Sequence, residues 1–225
     1  MESRLNIAID GPSGAGKSSV AKGVAKKLNI IYVDTGAMYR AVGLYMFRHG
    51  IDPQNAEAVA AALSDVHVEL SYSEAGQRVY LNGEDVSEAI RENTISMYAS
   101  HVSAIPAVRA FLLDLQRDMA KKHDVVMDGR DIGTVILPDA NVKIFMTASV
   151  ESRADRRYKE LLARGASVDY EEILSDIRVR DDNDRNRAIA PAVAAEDAVL
   201  FDNTEYDLDA SIAYVLKIIK EKIAK

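Results

Sequence analysis

Cysteine is absent from the chain, which excludes disulfides, thiolate metal sites and thiol nucleophiles and fits a reducing compartment. No run of about 18 apolar residues occurs that would span a bilayer. The opening Met-Glu-Ser-Arg lacks the charged and apolar regions of a secretory leader, so the expectation is a cytoplasmic protein with no membrane partner. An excess of positive charge is missing as well. The formal net charge of −7 argues against a general nucleic-acid binder, because affinity for a phosphate backbone comes from a basic surface. The four histidines are scattered and suggest neither a metal cluster nor a histidine base. No Asn-Lys pair exists, so the chain lacks the Asn-Lys-x-Asp element by which switching GTPases read guanine. Internal repeats, low-complexity tracts and proline-rich linkers are lacking too.

What the chain does contain begins at residue 11. Gly11-Pro12-Ser13-Gly14-Ala15-Gly16-Lys17-Ser18 is a complete Gly-x-x-x-x-Gly-Lys-Ser phosphate loop, and the apolar run Leu5 to Asp10 leads straight into it. Glycines let several backbone N–H groups point at phosphate oxygens. Lys17 adds a positive charge, and the Ser18 hydroxyl offers a ligand to Mg²⁺. Val20, Val24 and Leu28 recur every fourth position with Ala21 and Ala25 beside them, which predicts a helix over residues 17–28 whose N-terminus faces the anion. The expectation is a nucleoside triphosphate site with Mg²⁺, built from Gly11 to Ser18 together with Ser19.

Hydrophobic residues make up 48% of the 225, ample for a buried core. Runs rich in β-branched residues read as buried strands of a parallel sheet: Ile30 to Val33, Val125 to Met127, Val142 to Met146 and Ala198 to Phe201. Three of them lead into an aspartate, at Asp34, Asp128 and Asp202. Helical patterns lie between, with Val108, Phe111, Leu112, Leu115 and Met119 after Pro106 and with Ile212, Val215, Leu216, Ile219 and Ile223 near the end. Strand alternating with helix predicts a three-layer α/β core with ligands at the carboxyl ends of the strands.

Residues 62–101 break that rhythm. Val66, Val68, Leu70 and Tyr72 alternate with His67, Glu69 and Ser71; a polar turn at Glu74-Ala75-Gly76 follows, and then Arg78 to Leu81 runs into Asn82-Gly83. This is the pattern of a small antiparallel β unit with one wet face, inserted in a core formed by 1–61 and 102–225.

Eight of the sixteen arginines lie between Arg153 and Arg187, a local concentration of cation on an acidic chain. A phosphate loop, an arginine cluster and an inserted unit together suit a phosphotransferase acting on a small acceptor, which needs positive charge on the transferring group and must exclude water. Asp34 or Thr35 can also simply cap a helix that begins near Ala37, and Asp128 can be a strand-end cap or a carboxylate supporting Mg²⁺. Arg153, Arg156 and Arg157, with Asp155 and Glu160, read either as a solvated helix face of ion pairs or as ATP contacts, and the reading places Arg157 on ATP.

Asp34-Thr35-Gly36 with Tyr39-Arg40, the run Asp128-Gly129-Arg130-Asp131-Ile132-Gly133-Thr134, and Arg180-Asp181-Asp182-Asn183-Asp184-Arg185-Asn186-Arg187 together resemble the bacterial cytidylate kinases, a branch of the nucleoside monophosphate kinases. The resemblance runs nearly end to end and covers the insertion, which in that family enlarges the monophosphate-binding domain. It implies a phosphate-loop kinase core with a helical lid at about 153–187, and Mg²⁺-dependent transfer of the ATP γ-phosphoryl group to CMP or dCMP. It further implies that Lys17, Arg130 and Arg187 stabilise the transferring charge, and that Arg40, Arg130 and Arg187 hold the acceptor phosphate. Ser100, Arg109 and Asp131 match the cytosine site, Arg180 and Asp184 match sugar contacts, and Thr35 stands where the family carries Ser or Thr near the ribose. A monomer is expected. The alternatives are a phosphate-loop kinase for UMP, AMP or shikimate, and a nucleotide sensor that binds a partner through the insertion.

Overall fold

The computed structural model describes residues 4–73, 76–163 and 165–224. In chain order the strands and α-helices are β1 (Asn6–Asp10), α1 (Lys17–Leu28), β2 (Ile31–Asp34), α2 (Thr35–Arg48), α3 (Ala56–Ala62), β3 (Val68–Ser73), β4 (Gly76–Leu81), β5 (Glu84–Asp85), α4 (Asn93–Val102), α5 (Pro106–Lys122), β6 (Val125–Gly129), β7 (Val142–Thr147), α6 (Val150–Ala163), α7 (Tyr170–Asn186), β8 (Val199–Asp202) and α8 (Leu208–Ile223). They fall into two compact units. Among the described residues, 31–125 form one together with Arg4, and 5–30 with 126–224 form the other.

The second unit carries the parallel sheet, with strands in the order β6-β1-β7-β8. Its register pairs Ile7 with Val142 and Ile9 with Ile144, and β7 pairs in parallel with β8, Met146 opposite Phe201. Ile7, Ala8, Ile9, Val126, Met127, Val142, Ile144 and Met146 are all buried, as strands covered on both faces require. Each expected strand run is a strand, and α1 spans the residues expected. Helices α6 and α7 form a hairpin around an apolar cluster of their own: Ala154, Ile173, Leu174 and Ile177, packed by Val150, Tyr158, Leu161, Val168 and Tyr170. Among the described residues no helix is long and apolar enough to cross a membrane.

The first unit holds β2, helices α2 to α5 and the small antiparallel sheet in the order β3-β4-β5. Val68 pairs with Leu81 and Tyr72 with Gln77; Val68 is buried, Leu70 and Tyr72 are half-buried, and Glu69, Ser71 and Ser73 face solvent. That is the alternation the sequence shows. The strand starts at Val68 rather than Val66, because the Val66 N–H closes a 3-10 turn on the Leu63 carbonyl at 3.2 Å. The polar turn expected at residues 74–76 lies largely outside the described residues, since 74 and 75 are not among them. Asn82 and Gly83 both have positive φ, 50° and 84°, the pairing that a tight hairpin between β4 and β5 needs. The expected insertion also contains a helix, α4, whose buried Ile95, Ala99 and Val102 recur at helical spacing.

Candidate active site

The loop between β1 and α1 is shaped by close packing at its start. A Cβ on Gly11, whose φ is +143°, would sit 1.9 Å from the Met146 carbonyl oxygen, so no other residue fits there. Helix α1 then opens on Gly16 with no side-chain cap and no acidic residue in its first turn. Its leading N–H groups therefore stay open to an anion, with the positive end of the dipole behind them. Loop carbonyls, which would repel phosphate, are tied to donors. The Pro12 carbonyl accepts from Lys17 Nζ at 2.6 Å, the Ser13 carbonyl from Arg153 Nη1 at 2.9 Å, and the Ala15 carbonyl from Asn203 Nδ2 at 3.0 Å. Arg156 reinforces that last contact by donating to the Asn203 carbonyl at 2.9 Å.

Lys17 is buried. Burial, and after it the Arg130 guanidinium, pulls its ammonium down to about 7 from the ordinary range, while Asp128, Asp10 and Asp184 pull the other way. Ser18 Oγ donates to Asp128 Oδ2 at 2.9 Å, so the strand-end aspartate of β6 meets the hydroxyl of the loop. Asp10, the last residue of β1, accepts from the backbone N–H groups of Ile132 at 2.8 Å and Gly133 at 2.7 Å. Burial is the main reason its carboxyl is raised to about 6, against the lowering effect of those two N–H groups. It thereby fastens the π-helical turn Ile132–Ile136, which follows Arg130 and Asp131, to the strand that feeds the phosphate loop. Such turns often accompany functional sites.

On α7, Arg180 and Asp184 stand four residues apart and Arg187 follows at the C-cap, so the three share one face. Arg130 Nε donates to Asp184 Oδ2 at 2.8 Å. Burial opposes both charges, but their mutual attraction outweighs it, holding the Arg130 guanidinium above its ordinary value and the Asp184 carboxyl below. Arg187 reaches Asp131 at 3.5 Å and Asp184 at 3.9 Å. The second unit thus brings Lys17, Ser18, Arg130, Asp131, Asp184 and Arg187 into one linked network. Arg153 is buried and grips Asp181 of α7 with both Nη atoms, at 3.0 and 2.5 Å, which locks the α6–α7 hairpin to the loop that Arg153 also holds. Arg157, the arginine assigned to ATP from sequence, pairs with Glu160 at 3.0 Å.

The first unit carries the other expected residues. Thr35 is the buried first residue of α2. Asp34 caps that helix, its Oδ1 accepting from the Ala37 N–H at 2.9 Å, and its Oδ2 accepts from Arg40 Nη2 at 3.0 Å. Buried Arg109 of α5 donates to the Ser103 carbonyl at 3.1 Å and lies 5.7 Å from the centre of the Tyr39 ring. Ser103 Oγ in turn donates to the carbonyl of Ser100 at 2.8 Å. Sequence reasoning missed Asp10, the Arg153–Asp181 pair and Asn203. Asp10 had a signal, since Ile9-Asp10-Gly11 repeats the strand-to-aspartate pattern seen at Asp34 and Asp128. The other two depend on partners 28 and 188 residues away.

Residues 7–221 match the family model described as cytidylate kinase. The cytidylate kinase of Caldicellulosiruptor saccharolyticus is 47% identical over 220 residues, covering 98% of this chain and 97% of that protein. That of Mycolicibacterium paratuberculosis is 47% identical over 223 residues, covering 99% and 98% respectively. Among solved structures, an uncharacterised protein from Eubacterium ventriosum superposes with a TM-score of 0.53 at 15% identity over 96% of this chain and 99% of that one, a likeness of fold alone.

Proposed function

Since the chain belongs to the cytidylate kinase family, we propose that its phosphate loop and the arginine network beside it carry the γ-phosphoryl group of ATP to CMP or dCMP. A phosphate oxygen of the acceptor attacks the γ-phosphorus, the bond to the β-phosphate oxygen breaks, and ADP leaves with CDP or dCDP as product. No covalent enzyme intermediate is required, so catalysis is a matter of placement and charge. The observation that carries this reading is the grouping of Lys17 and Arg130 among the same carboxylates, Asp10, Asp128 and Asp184, close enough that the Arg130 guanidinium helps to pull the Lys17 ammonium down.

The loop backbone from Gly11 to Ser19, through its N–H groups at every position but Pro12, holds the ATP phosphates together with Lys17. Arg130 and Arg187 exchange their aspartate partners for phosphate oxygens, for which guanidinium forks are suited. Arg40 is the proposed grip of the first unit on the acceptor phosphate. Ser100, Arg109 and Asp131 are the proposed readers of cytosine, and Thr35, Arg180 and Asp184 of the sugar.

The Ser18 hydroxyl and the Asp128 carboxylate, 2.9 Å apart, are hard oxygen ligands that fit Mg²⁺. Among the described residues no group of three or more His, Cys, Asp or Glu side chains is placed to hold a metal alone, so the ion would be bound jointly with phosphate. When bound, it neutralises charge on the phosphates.

Turnover of ATP with a panel of CMP, dCMP, UMP, AMP and shikimate tests the reading. CMP and dCMP are expected to give the highest kcat/KM. Preference for any other acceptor would replace it, and nucleotide binding without turnover would favour a sensor.

A further inference from the structure

The small antiparallel sheet of the first unit has no part in the phosphoryl transfer proposed for this chain, yet one of its side chains is bound to the segment that carries Arg40. Gln77 of β4 accepts from the Asp34 N–H through Oε1 at 2.8 Å and donates from Nε2 to the Asp34 carbonyl at 3.3 Å. One side-chain amide thus satisfies both backbone groups of a single residue, as a neighbouring strand would. Asp34 is where the consequences divide. Its Oδ1 caps α2 at the Ala37 N–H, and its Oδ2 holds Arg40 Nη2 at 3.0 Å. A Cβ on Gly36 would lie 3.2 Å from Asp34 Oδ1 and 3.3 Å from Arg40 Nη1, so the guanidinium is folded tightly over the first turn of α2. Tyr72, opposite Gln77 in the hairpin register, closes the same corner; burial, and then the Asp34 charge, keep its phenol protonated.

We propose that Gln77 is a positioning residue for the acceptor phosphate, acting through Asp34 on Arg40. The inference rests on the reading that Arg40 grips that phosphate. The inserted sheet thereby sets the backbone position from which Arg40 is aimed. The chemistry specifies an amide at residue 77. Glutamate would keep the acceptor for the Asp34 N–H but would lack the N–H for the carbonyl, and would add a negative charge beside the Asp34 carboxylate.

The test is a double-mutant cycle in steady-state kinetics, using Gln77→Ala, Gln77→Glu, Arg40→Ala and the double variant Gln77→Ala/Arg40→Ala. Gln77→Ala should raise the KM for CMP about tenfold, less than the about hundredfold that a displacement of about 1 Å can cost. It should leave the KM for ATP unchanged, and Gln77→Glu should be worse for CMP. In the Arg40→Ala background, losing Gln77 should change nothing further. If Gln77→Ala does not fold, Gln77→Glu, close to it in size, runs the same cycle. Full additivity with Arg40→Ala would overturn the inference while leaving Arg40 in its role, as would a lowered melting temperature with unchanged kinetics. An unchanged KM for CMP in Arg40→Ala would remove the role of Arg40 and the inference with it.

Discussion

The phosphate loop and the arginine network lie in the same unit but are held in opposite ways. In the loop, the carbonyls of Pro12, Ser13 and Ala15 are bound by fixed donors, and the start of α1 is left uncapped. The network is instead made of arginines that already have carboxylate partners: Arg130 with Asp184, and Arg187 with Asp131 and Asp184. The first arrangement is complete without a ligand, whereas under the proposed function the second exchanges partners. Preorganised groups lose rate when removed, while exchanged groups also lose the discrimination that exchange provides.

The most severe way to break the contrast is Lys17→Ala. We predict a folded protein, by circular dichroism and melting temperature, with kcat reduced about a thousandfold, as for loss of a fixed charge-stabilising group. Wild-type turnover in a folded variant would end the assignment of the loop. Next in size is Arg187→Ala, expected to lower kcat about a hundredfold by analogy with arginine fingers. Should it lower only the melting temperature, the arginine is an ion-pair residue and the network loses its catalytic reading. Asp131→Asn sharpens the comparison, because the new amide both donates and accepts. We expect the ratio of kcat/KM for CMP over UMP to fall about tenfold, chiefly through CMP; sites that hydrogen-bond a substrate group reject its analogue by up to about 10⁴. An unchanged ratio would move base selection elsewhere.

The smallest effect concerns Asp10. Its carboxyl is raised in the folded protein from 3.8 to about 6, so its contribution to stability is full below about pH 4 and is lost as pH rises through 6. Removing this titration with Asp10→Asn should therefore make the change in melting temperature between pH 4 and 6 more positive than in the wild type. An identical slope would mean that Asp10 titrates normally.

The phosphate loop was legible because its geometry is local: glycine positions, a preceding strand and a following helix are all written within about 25 residues. The strands were legible because burial on both faces leaves unbroken apolar runs. Helix α4 was not read out, although Ile95, Ala99 and Val102 carry the spacing, since the alternation before it drew the whole stretch into a β unit. The cap at Asp34 was legible as an option and is made. Its link to Gln77, 43 residues on, was not, because nothing in a sequence ties an amide to a distant backbone. The same holds for Asp10 and the N–H groups of Ile132 and Gly133, more than a hundred residues away.

The pairing of Lys17, Arg130 and Arg187 with Asp10, Asp128, Asp131 and Asp184 also bears on how a substrate finds the site. With Arg180, which also acts on Asp184, four cations set among four carboxylates leave no surplus positive charge, and the protein as a whole carries a net charge of −7. A nucleotide approaching through solution is therefore not drawn in by a long-range field, and its capture rate should lack the steep fall with ionic strength that marks steered association. Under the proposed function, attraction begins only at contact, when phosphate takes over an arginine from an aspartate.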